Sequence, residues 1–165
     1  MWWRRQVFIG LGSNLGDRYA ALRRAVELLQ GMMDVGQRSS VWDTAPELVL
    51  DQPRYLNAVV SARTDLDPFS LLNAVKEAER TIGRAPGVRY GPRLIDIDIL
   101  LYDAWRVESR ELVIPHPMLA ERAFALAPLA ELAPDLPHPF LGTTIAELLE
   151  RVPYDAIVRE QRYKL

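Results

Sequence analysis

The spacing of apolar positions divides most of the chain into a strand, a helix, two strands, a helix and a strand. Gln6 to Leu11 is a short apolar run. It passes into Gly10-Leu11-Gly12-Ser13-Asn14-Leu15-Gly16-Asp17, which reads as a turn-rich loop with Asp17 placed to cap a helix. From Arg18 to about Met33, Leu22, Val26 and Leu29 recur at helical spacing. Val35 to Trp42 reads as a strand, and Asp43 to Arg54, with Pro46 and Pro53, as a long loop. Tyr55 to Arg63 alternates, with Leu56, Ala58, Val60 and Ala62 on one face. Pro68 opens a second helix in which Leu71, Leu72, Val75, Ala78, Glu79 and Ile82 recur at three and four.

Gly83 to Pro92 is a Gly/Pro-rich segment carrying Arg84, Arg89 and Tyr90. The strand that follows places Ile95, Ile97, Ile99 and Leu101 on one face and Leu94, Asp96, Asp98 and Leu100 on the other. This order predicts an α+β fold with a ferredoxin-like βαββαβ core, a mainly antiparallel sheet and helices packed on it. Val113-Ile114 reads as one more strand. Helical patches at Met118 to Leu132 and Thr144 to Glu150 predict a C-terminal helical extension.

The 165 residues, 49% hydrophobic and 25% charged, suffice for one core, so residues 1–165 are expected to form a single domain. A net charge of −2 sets up no field for nucleic acid or an anionic membrane surface, and a polyanionic ligand would need a local basic site. The chain has no cysteine, which excludes disulfides and thiolate metal sites. Met1-Trp2-Trp3-Arg4-Arg5 lacks the apolar core of a signal peptide, and no run approaches the ~20 apolar residues of a membrane span. Cytoplasm is the expected location.

Asp96 and Asp98 carry the sharpest chemical signal. Two like charges on one half-buried face repel each other and call for a cation beside them. Carboxylates without histidine or thiol partners suit Mg²⁺, which completes its shell with water and substrate phosphates. A structural ion-pair network with nearby arginines, or an edge strand with one wet face, is the alternative. All basic residues except Lys76 and Lys164 are Arg, so arginine at any one position says little. Arg84, Arg89 and Arg93 flank the pair in a flexible segment, which suits a phosphate-rich substrate, or forms a solvated loop. The glycines from Gly10 to Gly16 match neither a dinucleotide fingerprint nor a Walker motif. Tyr55 and Asn57 share a strand face and could stack on and read a flat heterocycle, although a Tyr at a strand start is more often packing. His116, between two prolines, could reach a phosphate or brace a turn. Phe124 reads as core.

Four segments in order resemble the 6-hydroxymethyl-7,8-dihydropterin pyrophosphokinase family. They are Ile9 to Asp17; Asp51-Gln52-Pro53-Arg54-Tyr55-Leu56-Asn57; Gly83-Arg84 with Tyr90 to Ile99; and Ile114-Pro115-His116-Pro117 with Glu121-Arg122-Ala123-Phe124. The resemblance implies transfer of pyrophosphate from ATP, the co-substrate, to the hydroxymethyl group of the dihydropterin, with AMP leaving. It implies two Mg²⁺ ions on Asp96 and Asp98, and Arg84 and Arg93 as the arginines that neutralise the triphosphate. Tyr55 and Phe124 would sandwich the pterin, with Asn57 and the backbone near Thr44 on its edge. Glu79, Tyr90, Arg93, Ile99, His116 and Arg122 would serve ATP. Small-molecule substrates, no nucleic acid, no membrane and a monomer are expected.

The chain departs from the family pattern in Thr44-Ala45-Pro46-Glu47-Leu48-Val49-Leu50, where relatives commonly carry Pro-Pro or Pro-hydrophobic-Gly, and in Tyr90, where Trp is frequent. A non-catalytic ferredoxin-like binding module is the competing function, but it has no need of carboxylates on a buried face. A different Mg-dependent phosphotransferase would use the same residues on another acceptor.

Overall fold

The computed structural model describes residues 4–87, 89–153 and 157–165. The elements are β1 (Arg5–Ser13), α1 (Arg18–Gln30), β2 (Asp34–Arg38), β3 (Val41–Thr44), β4 (Tyr55–Thr64), α2 (Pro68–Ile82), β5 (Asp96–Tyr102), β6 (Val107–Glu108), β7 (Val113–Ile114), α3 (Ala123–Leu132), α4 (Ile145–Arg151) and β8 (Ile157–Glu160). A six-stranded sheet runs β5-β1-β4-β3-β8, with β2 also on β4, and β6-β7 form a separate ribbon. Every pairing in the sheet is antiparallel.

Local chemistry sets the start of α1 and both ends of α2. Asp17 accepts the Ala20 N–H at 3.0 Å and caps α1. Asp67 accepts the N–H groups of Phe69 and Ser70, Pro68 occupies the first turn of α2, and Gly83 closes it at φ 111°, a conformation that favours glycine.

The sheet has a core on each face. Val7, Ile9, Leu11, Leu56, Val60, Ile97 and Ile99 pack against α1 and α2. Phe8, Val59, Leu100 and Leu101 pack against α3, α4 and Leu119. Among the described residues no helix is long and apolar enough to cross a membrane.

Several elements depart from the sequence reading. β1 does not end at Leu11 but runs through Ser13, because β4 and β5 flank Gly10, Leu11 and Gly12 and supply ladder partners on both sides. The single strand expected over Val35–Trp42 is two strands, broken at Ser39-Ser40. There the Ser39 hydroxyl accepts the Val59 N–H, and the Ser40 N–H and hydroxyl both donate to Glu131 of α3. Leu101 lies on the opposite face from Ile99, because the register slips at Phe8/Ile9 and Leu100 bulges. The patch at Met118–Leu132 is a 3-10 turn, Leu119–Glu121, then α3, divided at the extended Arg122. α1 stops at Gln30, before Met33. β8, on the outer edge of β3, has no counterpart in the sequence reading, and the stack of Tyr19 on Tyr163 at 4.3 Å ties the chain end to α1.

Candidate active site

Two glycines make the site possible. On the face that carries α3 and α4, β1 presents Gly10 and Gly12, in register with Val59 and Asn57 of β4 and with Asp98 and Asp96 of β5. α3 covers the Phe8 and Val59 half of this face. The glycine half stays open as a cleft of about 240 Å³. Of the residues singled out from the sequence, Thr44, Tyr55, Asn57, Tyr90, Arg93, Asp96, Asp98, His116, Arg122 and Phe124 all line it. Glu79 and Arg84 join through ion pairs from α2 and just beyond it. Ile99 does not join: its side chain packs with α1 and α2 on the opposite face, leaving only its backbone for a ligand.

Asp96 and Asp98 point from β5 into the same cleft, two residues apart. Burial raises the Asp96 carboxyl to about 7, with Asp98 and Glu79 adding to the rise and Arg84 and Lys76 opposing it. Burial also pushes Asp98 up, against Lys76, Arg122 and Arg84. Arg84 lies 3.1 Å from Asp96 and also reaches Glu79, while Arg93 lies 3.7 Å from Asp96. Glu79, 2% exposed, accepts the Ile97 N–H at 2.8 Å and so fastens α2 to the residue between the two aspartates. The ion-pair reading of Asp96 is therefore realised in this structure.

The donor set fits a hard divalent ion. It consists of carboxylate oxygens whose ionised form a bound cation would restore. Among the described residues no group of three or more His, Cys, Asp or Glu is placed to hold a metal unaided. An ion on Asp96 and Asp98 would draw the rest of its shell from water and ligand oxygens, as Mg²⁺ does.

The opposite wall is aromatic and amide. Asn57 donates through Nδ2 to Thr44 Oγ1 at 2.6 Å, and both residues are buried. That bond sets the amide orientation. Tyr55 begins β4 at the cleft edge, its hydroxyl raised by burial and by Asp96, with Arg122 opposing. Phe124, at the start of α3, carries the Arg122 guanidinium over its ring at 5.4 Å. Arg122 also lies 3.7 Å from Glu47, whose carboxyl burial raises.

His116 does both things its position allowed. It braces the turn, with its N–H on the Leu100 carbonyl at 3.0 Å and its Nδ1 accepting from the Met118 N–H at 3.2 Å, and it lines the cleft. With Nδ1 an acceptor, the ring proton belongs on Nε2. Burial and Arg122 depress its pKa to about 4, so it meets a ligand as a neutral donor.

Asn14, Gln52, Lys76 and Glu47 escaped the sequence reading as site residues. Asn14, 1% exposed, accepts the Arg93 N–H at 2.8 Å and donates its own N–H to the Arg93 carbonyl at 3.1 Å. Its Nδ2 donates to Gln52 Oε1 and the Pro53 carbonyl. Gln52 in turn donates to the carbonyl of Tyr90, which adopts φ 61°. Asn14 and Gln52 thus lace together the three segments around the cleft. Both lie in the family-like segments, but an amide's partners dozens of positions away leave no local signal.

The profile of 7,8-dihydro-6-hydroxymethylpterin-pyrophosphokinase (HPPK) matches residues 8–134. The chain is 42% identical over 156 residues to the 2-amino-4-hydroxy-6-hydroxymethyldihydropteridine pyrophosphokinase of Methylorubrum extorquens, covering 93% of this chain and 98% of that one. It is 48% identical over 128 residues to the mitochondrial folate synthesis bifunctional protein of Arabidopsis thaliana, covering 77% of this chain and 23% of the relative. It therefore spans about a quarter of that longer protein. In fold it is similar to the crystal structure of Plasmodium falciparum HPPK-DHPS with pteroate, with a TM-score of 0.75 at 17% identity over 90% of this chain and 42% of the other. With the sequence match spanning both walls of the cleft, the chain belongs to the 7,8-dihydro-6-hydroxymethylpterin-pyrophosphokinase family.

Proposed function

We propose that this chain transfers pyrophosphate from ATP to the hydroxymethyl group of 6-hydroxymethyl-7,8-dihydropterin, releasing AMP in folate synthesis. The hydroxymethyl oxygen attacks the β-phosphorus, the bond between that phosphorus and the oxygen bridging to the α-phosphorus breaks, and the hydroxyl proton is lost. The observation that carries this reading is the adjacency of two walls in one cleft: Asp96 and Asp98 on one side, with Arg84 and Arg93 paired to Asp96, and Tyr55, Asn57 and Phe124 on the other.

Asp96 and Asp98 would hold two Mg²⁺ ions, which would supply positive charge to neutralise the phosphates. Arg84 and Arg93 would leave Asp96 for the transferring phosphates, stabilising charge as it develops. His116 would donate Nε2–H, and Arg122 its guanidinium, to the nucleotide. Tyr90, Glu79 and the Ile99 backbone would bound the nucleotide side. Tyr55 and Phe124 would enclose the pterin ring, with Asn57 Oδ1 and the Thr44 backbone pairing its edge.

The sheet order supports a ferredoxin-like core, in which the β2/β3 pair serves as one strand, followed by an extension of α3, α4 and β8. We read residues 1–165 as one domain working as a monomer in the cytoplasm, a reading with which the lack of cysteine is compatible.

Incubation with Mg-ATP and 6-hydroxymethyl-7,8-dihydropterin, resolving AMP from ADP, tests the reading. AMP with a pyrophosphorylated pterin is the expected result. ADP, or no pterin product, overturns it.

A further inference from the structure

Glu79 is a buried carboxylate with more partners than its structural duty needs. Its Oε1 accepts the Ile97 N–H at 2.8 Å, which suffices to fasten α2 to β5. Its Oε2 receives two cations. Lys76 approaches from one turn earlier in α2, 3.2 Å away, and Arg84 from just past the Gly83 cap. Arg84 is divided, since it also reaches Asp96 at 3.1 Å. Lys76 has a side chain 42% exposed and no second ion pair among those of the described residues.

We propose that Lys76 is a positioning residue that keeps the buried Glu79 carboxylate paired when Arg84 moves from it to a substrate phosphate. The proposal rests on the reading that Arg84 serves the phosphates. Withdrawing the sole partner of a buried charge is strongly unfavourable. A cation already on the same oxygen removes that obstacle, and a flexible ammonium can follow small shifts of the carboxylate. The Ile97 N–H meanwhile stays on the other oxygen. The register of β5, and with it the placing of Asp96 and Asp98 on either side of Ile97, then survives the movement of Arg84.

Two double-mutant comparisons test this. In thermal unfolding without nucleotide or metal, Lys76→Met and Arg84→Met each lower the midpoint by no more than about 3 °C, because the remaining cation still serves Glu79. Together they lower it by roughly 10 °C, or prevent folding, because Glu79 is then buried without a cation. Additive shifts overturn the proposal. In turnover, Lys76→Met lowers kcat about tenfold while leaving KM for the pterin within about twofold, because Arg84 stays on Glu79. Lys76→Arg restores kcat, and where the double mutant folds, Lys76→Met lowers kcat further in an Arg84→Met background, because Glu79 then has no cation. An unchanged kcat in Lys76→Met, or failure of Lys76→Arg to restore it, overturns the proposal. Wild-type protein that forms no AMP instead removes the proposed reaction, and with it any role of Lys76 in turnover. Additive unfolding with normal AMP formation overturns the Lys76 proposal alone.

Discussion

Gly12 lies under the Asn57 amide so closely that a Cβ on residue 12 would come within 2.8 Å of Asn57 Oδ1. Asn57 cannot retreat without breaking its bond to Thr44. Gly12→Ala is therefore expected to turn the amide and weaken binding of 6-hydroxymethyl-7,8-dihydropterin by about 1–3 kcal/mol, with much less effect on ATP alone. Gly10→Ala is the milder control, since its Cβ would meet only the movable end of Leu100 at 3.3 Å. Separate titrations of the two ligands check this, and an unchanged pterin affinity in Gly12→Ala would count against Asn57 as the edge-reading residue.

Asp96 makes stability depend on pH. Its carboxyl keeps a proton up to about pH 7 in the folded protein and only to about 4 when unfolded. Between those values the folded state binds more protons, so its contribution is fully present below pH 4 and is lost as pH rises through 7. The loss is on the order of 2–4 kcal/mol, and Asp98 adds in the same direction. Asp96→Asn should flatten the profile, raise stability at pH 8 without divalent ions, and abolish turnover. Melting curves from pH 4 to 8 in chelator measure it. Equal slopes for the two proteins would show that Asp96 is ionised throughout.

The aromatic wall should discriminate between substrates. Tyr55→Ala and Phe124→Ala each remove a ring from the cleft and are expected to weaken pterin binding by at least about 1 kcal/mol beyond the lost burial. ATP binding should change far less. Calorimetric titration of each ligand separates the effects, and equal losses for both would show that the rings merely support the cleft's shape.

Asn14→Ala should act without touching the chemistry. It strips the Arg93 N–H and Gln52 of buried partners, at roughly 1–3 kcal/mol for each group left unpaired. Faster hydrogen exchange at Tyr90 to Arg93, together with lower kcat/KM, is expected. Wild-type exchange there would show that other contacts hold the segment.

Much of this was legible locally. The cap at Asp17, Pro68 and Gly83 at the ends of α2, and the alternation that sets Asp96 and Asp98 apart from Ile97 and Ile99 are written in short windows, because capping and amphipathic burial depend on neighbours one to four positions away. The four family-like segments likewise carried most of the cleft residues. The tertiary structure alone decided what needed a distant partner. Gly10 to Ser13 have the composition of a turn, yet become a central strand because ladders await on both sides. Val35 to Trp42 alternates like one strand, yet breaks where Glu131 captures Ser40. Leu101 changes face at a slip in pairing with β1, and β8 gains its place only from the edge of β3. The sharing of Glu79 by Lys76 and Arg84, and the lacing of three segments by Asn14 and Gln52, belong to the same class. Periodicity records which way a side chain faces; which group it meets there depends on chain crossings that add no local pattern.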